Sequence, residues 1–89
     1  MRNVLITTEY RGVFAGQIDD AQDINAETMP IKNAKMAIKW GTDRGLMQLC
    51  ETGPTDKSKI SASADILSLR KITGVFDITS EAWEAWKKA

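Results

Sequence analysis

The stretch MPIKNAKMAIKWGTDRGLMQLCETGP, residues 29–54, decides the fold because the spacing of its apolar residues changes partway along it. The first part shows the alternation of a half-buried β-strand whose outer face carries lysines, and the second part shows the spacing of one helical face. The sequence therefore predicts a strand followed by a short helix, which Thr42 or Asp43 caps and Gly53 ends. The apolar residues concerned are Met29, Ile31, Met36, Ile38 and Trp40, and then Leu46, Leu49 and Cys50.

The residues before this stretch predict a β-hairpin. Residues 4–8 and 12–18 are rich in side chains that favour strands, and a short polar step separates them. Gly16 lies inside the second run, where a glycine is typical of a bent strand. Residues 19–27 are polar and acidic, so we expect a loop there.

The residues after this stretch predict two paired strands and a C-terminal helix. The strands cover residues 60–64 and 66–78, with a bend or tight turn at Gly74. Residues 79–89 begin with capping hydroxyls, end near two lysines and carry two tryptophans, which favours a helix docked on the sheet or on a partner chain. The residues expected to complete the core are Leu67, Leu69, Val75, Phe76 and Ile78.

These elements predict one small α+β domain over residues 1–89. We expect a bent antiparallel sheet or an open barrel, with a short inserted helix and a C-terminal helix. A chain of 89 residues has room for a single small core, and so small a core favours a homo-oligomer.

Composition excludes several classes of function. Twelve basic and twelve acidic residues give a formal net charge of zero, so no general positive field attracts nucleic acid or a membrane surface. One cysteine and no histidine exclude an internal disulfide, an imidazole base and a zinc site of the Cys/His type. Without a long apolar run or the features of a signal peptide, we expect a cytoplasmic protein that has no membrane partner and needs no cofactor.

Several short motifs resemble a family of small, uncharacterised proteins encoded by bacteriophages and prophages. They are Arg-Gly-Val-Phe-Ala-Gly at 11–16, Lys-Asn-Ala at 32–34, Trp-Gly-Thr at 40–42, Arg-Gly-Leu at 44–46 and Gly-Pro-Thr at 53–55. The resemblance covers most of the chain. It implies a viral origin, and small early phage proteins often neutralise host defence. The first motif also resembles the first motif of Sm-like RNA-binding barrels, but their N-terminal helix and second Arg-Gly motif are absent.

The sequence suggests a ligand site at Trp40, Arg44, Thr55, Lys57 and Lys59. At the end of the long strand an indole can stack on a purine while a guanidinium binds a phosphate. The loop at 53–59 offers hydroxyls, backbone N–H groups and two ammonium groups, although a helix C-terminus precedes it and disfavours anions. The alternative is a buried tryptophan and an ordinary solvated turn.

Charge is segregated along the chain. Residues 15–31 hold four acidic and no basic residues, whereas residues 32–44 hold four basic residues and one acidic residue. Two interpretations remain open: a basic strand face that binds a nucleotide or nucleic acid, or an acidic loop and a basic strand that pair within a monomer or between subunits. The acidic loop lacks the spacing of a calcium-binding loop, so we expect it to be solvated.

With no convergent catalytic set, the sequence favours binding over catalysis. The leading hypothesis is a phage counter-defence protein that sequesters a nucleotide-derived immune signalling molecule, without catalysis, in the cytoplasm of an infected bacterial host cell. The first alternative is a non-enzymatic inhibitor that binds a host defence protein or nucleoprotein complex through its surface. The others are an Sm-like RNA-binding barrel, which the zero net charge disfavours, and a virion or assembly component.

Overall fold

The computed structural model describes residues 1–9, 12–39 and 45–89. Together they form a small α+β fold with an open antiparallel sheet, a short helix and a C-terminal helix, which confirms the predicted fold class. The elements are β1 (Arg2–Thr8), β2 (Val13–Ile18), β3 (Met29–Lys39), α1 (Leu46–Glu51), β4 (Lys59–Ile60), β5 (Ala64–Leu69), β6 (Ile72–Asp77) and α2 (Ser80–Lys88).

Strands β1, β2 and β3 form an antiparallel meander at the centre of the sheet. Strand β6 pairs with the free edge of β1, and the first half of β3 pairs with β5 while its last residues pair with β4. Because β5 and β6 pair at opposite edges of the meander, the chain between them crosses from one edge to the other. No ladder joins β5 to β6 in the described ranges, so the sheet stays open.

The chain crosses between the edges at Lys71 and not at Gly74, where the sequence predicted the bend. Lys71 has a left-handed backbone with φ 58°. Its carbonyl accepts a hydrogen bond from Glu9 N at 3.1 Å, and Ile72 N donates to the Glu27 carbonyl at 3.1 Å. Bonds from both edges of the meander thus hold the crossing, whereas Gly74 continues β6.

The sheet buries side chains on both faces, since neighbouring residues of β1 point to opposite sides. Val4 and Ile6 belong to one core with Ile18, Met29, Ile31 and Ala34, whereas the second core lies under the helices. Leu67 was expected in the core but is 91% exposed, because β5 turns the adjacent Ile66 inward instead. The helix-side core contains Leu5, Val13, Ala15, Ala37, Leu49, Cys50, Ile78, Ala82, Trp83 and Trp86.

Strand β3 changes face at a bulge around Asn33, whose backbone has φ 53°. The pairing of β3 shifts register there against both β2 and β5. An extra residue in a strand moves all later side chains to the opposite face. Ala37 therefore packs under the helices, whereas Met36 and Ile38, which the alternation placed inside, are 38% and 55% exposed.

Helix α1 begins at Leu46 after the N-cap Gly45, and Thr42 and Asp43, which were predicted to cap it, lie outside the residues that the structure describes. Gly53 ends the helix as predicted. It has φ 84°, and its N–H donates to the Gln48 carbonyl at 3.2 Å.

The C-terminus of α1 docks on the N-terminus of α2. The last carbonyls of a helix lack partners within it, and residues of α2 and its N-cap supply three donors. Thr79 Oγ1 also caps α2 by accepting from Ala82 N at 3.0 Å. Trp83 and Trp86, 8% and 0% exposed, pack within this chain. Three hydrogen bonds thus run from α2 and its N-cap to the last carbonyls of α1: Trp86 Nε1 to Leu49 O (3.1 Å), Thr79 N to Cys50 O (3.0 Å) and Thr79 Oγ1 to Glu51 O (2.7 Å).

Candidate functional site

A groove of about 470 Å³ lies on the helix side of the sheet, where β2, β3 and α2 meet. Its volume falls within the range of roughly 300–1,000 Å³ that is usual for small-molecule sites. It combines side-chain amides, ammonium groups and an indole, and we call it the carboxamide groove. Its lining residues are Gln17, Asn33, Lys35, Ser63, Trp83 and Lys87.

Three side-chain amides form a hydrogen-bonded row across β1, β2 and β3. Asn33 Nδ2 donates to Gln17 Oε1 at 2.8 Å, and Gln17 Nε2 donates to Asn3 Oδ1 at 3.0 Å. The strand register places Asn3 opposite Gln17, and the bulge in β3 brings Asn33 to the other side of Gln17. The row orients the Asn33 amide, whose Oδ1 accepts no hydrogen bond from the described residues.

The left-handed backbone of Asn33 is held in place by Asp65 of β5. Asn33 N donates to Asp65 Oδ1 at 2.9 Å, and Lys32 Nζ lies 3.9 Å from Asp65 Oδ2. Asparagine tolerates this backbone better than most residues do. The bulge thereby places Asn33 and Lys35 on the lining of one groove.

Lys35 and Lys87 give the groove its positive charge. Lys35 Nζ donates to the backbone oxygens of Lys87 and Ala89, at 3.1 and 2.9 Å, at the end of α2 where the helix dipole favours a cation. Lys87 Nζ lies 2.9 Å from Glu84 Oε1, and both side chains of this pair are about half exposed. Exposed ion pairs contribute little stability, so an anionic ligand can compete with Glu84 for Lys87.

The residues that the sequence singled out as a ligand site were Trp40, Arg44, Thr55, Lys57 and Lys59. Trp40 and Arg44 lie outside the residues that the structure describes. Thr55 begins a turn in which Ser58 N donates to the Thr55 carbonyl at 2.9 Å. Lys57 is exposed in that turn, and Lys59 is exposed on β4. The last three thus lie on one turn and the strand after it and are not among the lining residues of the carboxamide groove, and their role in binding stays a prediction.

The acidic loop between β2 and β3 makes local contacts. Asp19 and Asp23 each accept a hydrogen bond from the backbone N–H two residues later, at 2.9 Å. Asp20 Oδ1 lies 3.7 Å from the N-terminal amine, while Lys32 of the basic strand pairs with Asp65. In the described ranges no ion pair joins this loop to β3, and no group of three or more His, Cys, Asp or Glu side chains could hold a metal.

Sequence reasoning missed the carboxamide groove because its lining comes from four distant parts of the chain. A signal existed for Asn33, which interrupts the alternation of apolar residues just before a small residue. Asparagine at such a break is compatible with a bulge. A predicted bulge there would have exchanged the buried and exposed faces predicted for the rest of β3. Gln17, Ser63 and Lys87 carry no comparable signal, since they look like ordinary surface residues.

No helix within the described ranges is long and apolar enough to cross a membrane. Comparisons with curated proteins and with solved structures gave no match. Residues 1–86 match the model of a family described as a domain of unknown function, DUF6948. This match agrees with the predicted membership of an uncharacterised family and covers every strand and most of α2. The chain therefore belongs to the DUF6948 family.

Proposed function

We propose that this protein binds a nucleotide-derived small molecule in the carboxamide groove and does not transform it chemically. The observation that carries the proposal is the presence in one groove of an oriented amide row, two ammonium groups and an indole wall. Amides pair with the polar edges of bases, and ammonium groups bind phosphate. An apolar wall with a few placed polar groups is the usual composition of a small-molecule site.

The two lysines have different roles in this proposal. Lys87 binds the phosphate, because its ammonium group is exposed and only the weak pair with Glu84 has to be given up. Lys35 stays bound to the backbone oxygens of Lys87 and Ala89 and contributes positive potential. A nucleotide would then lie with its phosphate at the Lys87 ammonium group, whose charge offsets the unfavourable dipole at the end of α2, and with its base toward the amide row.

The available side chains favour binding without catalysis. The chain has no histidine, and its single cysteine, Cys50, is buried. Burial raises the pKa of the Cys50 thiol, so the reactive thiolate is disfavoured. Among the described residues that line the groove, none carries a carboxylate that could act as a general acid or base.

The resemblance to phage-encoded proteins supports a biological setting for this proposal. The protein would act in the cytoplasm of an infected bacterial cell as a counter-defence protein that sequesters a nucleotide-derived immune signal. Sequestration needs tight binding and no turnover, which suits a groove without catalytic groups. A homo-oligomer would present several such grooves.

Calorimetric titration with a panel of mononucleotides and dinucleotides tests the proposal, with native mass spectrometry of the protein from bacterial cells to detect a bound molecule. Lys87→Met removes the ammonium group that is proposed to bind phosphate, and Lys59→Met removes an exposed ammonium group from β4. We expect Lys87→Met to weaken binding by about tenfold or more, because a hydrogen bond to a charged group contributes roughly 1.5–3 kcal/mol. Lys59→Met should leave affinity unchanged.

If Lys59→Met weakens nucleotide binding and Lys87→Met does not, the binding site lies in the loop around Thr55, Lys57 and Lys59. Trp40→Ala and Arg44→Ala would then be expected to abolish binding as well. Absence of binding to every nucleotide and of any bound molecule would refute the proposal.

Exposed apolar side chains favour a second candidate function, an inhibitor that binds a host defence protein or nucleoprotein complex. Met36 and Ile38 line a groove of about 440 Å³ together with Val13 and Leu46. Clusters of exposed apolar side chains often mark protein interfaces. Under this hypothesis Ile38→Ser abolishes inhibition of the host complex and leaves nucleotide binding intact. RNA binding, the remaining alternative, predicts an affinity that falls steeply with salt.

A further inference from the structure

We infer that Asn33 determines which ligands the carboxamide groove accepts, by pairing with a ring edge that carries a hydrogen-bond donor beside an acceptor. This inference rests on the proposed function and specifies its ligand class. The ligand would be a nucleotide whose base keeps such an edge, and a sugar phosphate or a ring with acceptors alone would bind weakly.

The hydrogen bonds of the amide row leave Asn33 with one donor and one acceptor for a ligand. A side-chain amide has two N–H hydrogens and one acceptor oxygen. Asn33 Nδ2 uses one hydrogen for Gln17 Oε1, and Gln17 in turn both accepts and donates within the row. Asn33 keeps its second N–H and its Oδ1 for a ligand, since the described residues supply no further partner for either.

In the observed row the Asn33 amide turns its Nδ2 toward Gln17. Rotation of the Asn33 amide alone by half a turn would set Oδ1 against Gln17 Oε1, and two acceptors repel each other, so only a joint rotation of Asn33, Gln17 and Asn3 would keep the row intact. The backbone cannot swing away easily, because Asp65 Oδ1 binds the Asn33 N–H at 2.9 Å and holds the bulge. In the observed row, Asn33 therefore presents one free N–H beside its free Oδ1.

A ring edge with a donor beside an acceptor satisfies both free groups of Asn33 at once. A ring without the donor leaves Oδ1 facing another acceptor or without a partner. Paired contacts of this kind discriminate between bases by about 5- to 150-fold in affinity. We expect a preference in this range for the complete edge.

The test uses two pairs of probes that differ in one donor. The first pair is AMP and purine riboside 5′-monophosphate, which lacks the exocyclic amine. The second pair is UMP and 3-methyluridine 5′-monophosphate, in which a methyl group replaces the ring N–H. Asn33→Gly removes the amide and accepts the left-handed backbone with φ 53°, and circular dichroism checks its fold.

We expect the unvaried protein to prefer the complete edge in at least one pair, and Asn33→Gly to lose that preference while still binding phosphate. Lys87→Met, in contrast, should weaken both members of a pair equally and keep the preference. If the wild-type protein binds the two members of each pair with equal affinity, the inference is overturned and the proposed function still stands. A preference that survives in Asn33→Gly would also overturn it, and failure of every nucleotide to bind would refute both.

Discussion

Replacing Trp86 by phenylalanine should destabilise the fold more than the same replacement at Trp83. Both indoles are almost completely buried, at 0% and 8% exposure, so the loss of ring area is nearly the same. Of the two indoles, Trp86 donates a buried hydrogen bond, from Nε1 to the Leu49 carbonyl at 3.1 Å, whereas no described residue accepts one from Trp83 Nε1. That carbonyl lies in the last turn of α1 and has no other donor among the described residues. A buried acceptor without a partner costs about 1–3 kcal/mol.

Urea unfolding followed by circular dichroism measures the difference between the two variants. We expect Trp86→Phe to lose about 1–3 kcal/mol more than Trp83→Phe. For a domain of this size each kcal/mol lowers Tm by roughly 4–8 °C, so thermal unfolding gives an independent check. Equal losses, or a larger loss in Trp83→Phe, would show that this hydrogen bond does not join α1 to α2 as we argue.

Three further predictions concern stability. Gly53→Ala should lose about 2–5 kcal/mol, from a left-handed backbone with φ 84° and from a new Cβ only 2.7 Å from the Ala85 Cβ; a loss below about 0.5 kcal/mol in urea unfolding would contradict this. Leu67→Ala should change stability by less than about 0.5 kcal/mol, because the Leu67 side chain is 91% exposed. The Leu69 side chain packs against the sheet core, so Leu69→Ala should cost more than about 1 kcal/mol in the same assay. Burial raises the pKa of the Cys50 thiol in the folded state, so the contribution of this thiol to folding stability is complete below its pKa in the unfolded chain and is lost as pH rises through its pKa in the folded state. The urea midpoint should therefore fall less from neutral to alkaline pH in Cys50→Ala than in the wild-type protein. Equal slopes for the two proteins would argue against this.

The sequence alone determined the elements whose signals are local. Alternation of apolar residues identified the hairpin and β3, and the helical spacing after it identified α1. Gly53 ended that helix as expected, because only a residue that accepts a left-handed backbone fits there. The hydroxyls before α2 and the lysines at its end also identified the C-terminal helix, with Thr79 as the observed N-cap.

Tertiary structure decided the features that depend on register and on contacts between distant residues. The bulge at Asn33 exchanged the faces of β3, so Ala37 became buried and Ile38 became exposed, and no local count of apolar residues measures that shift. The crossing at Lys71 is held by hydrogen bonds to Glu9, just after β1, and to Glu27, just before β3. The carboxamide groove likewise exists only once β2, β3 and α2 are packed together. Periodicity reports which residues share a face of one element, whereas the pairing of elements sets which faces meet.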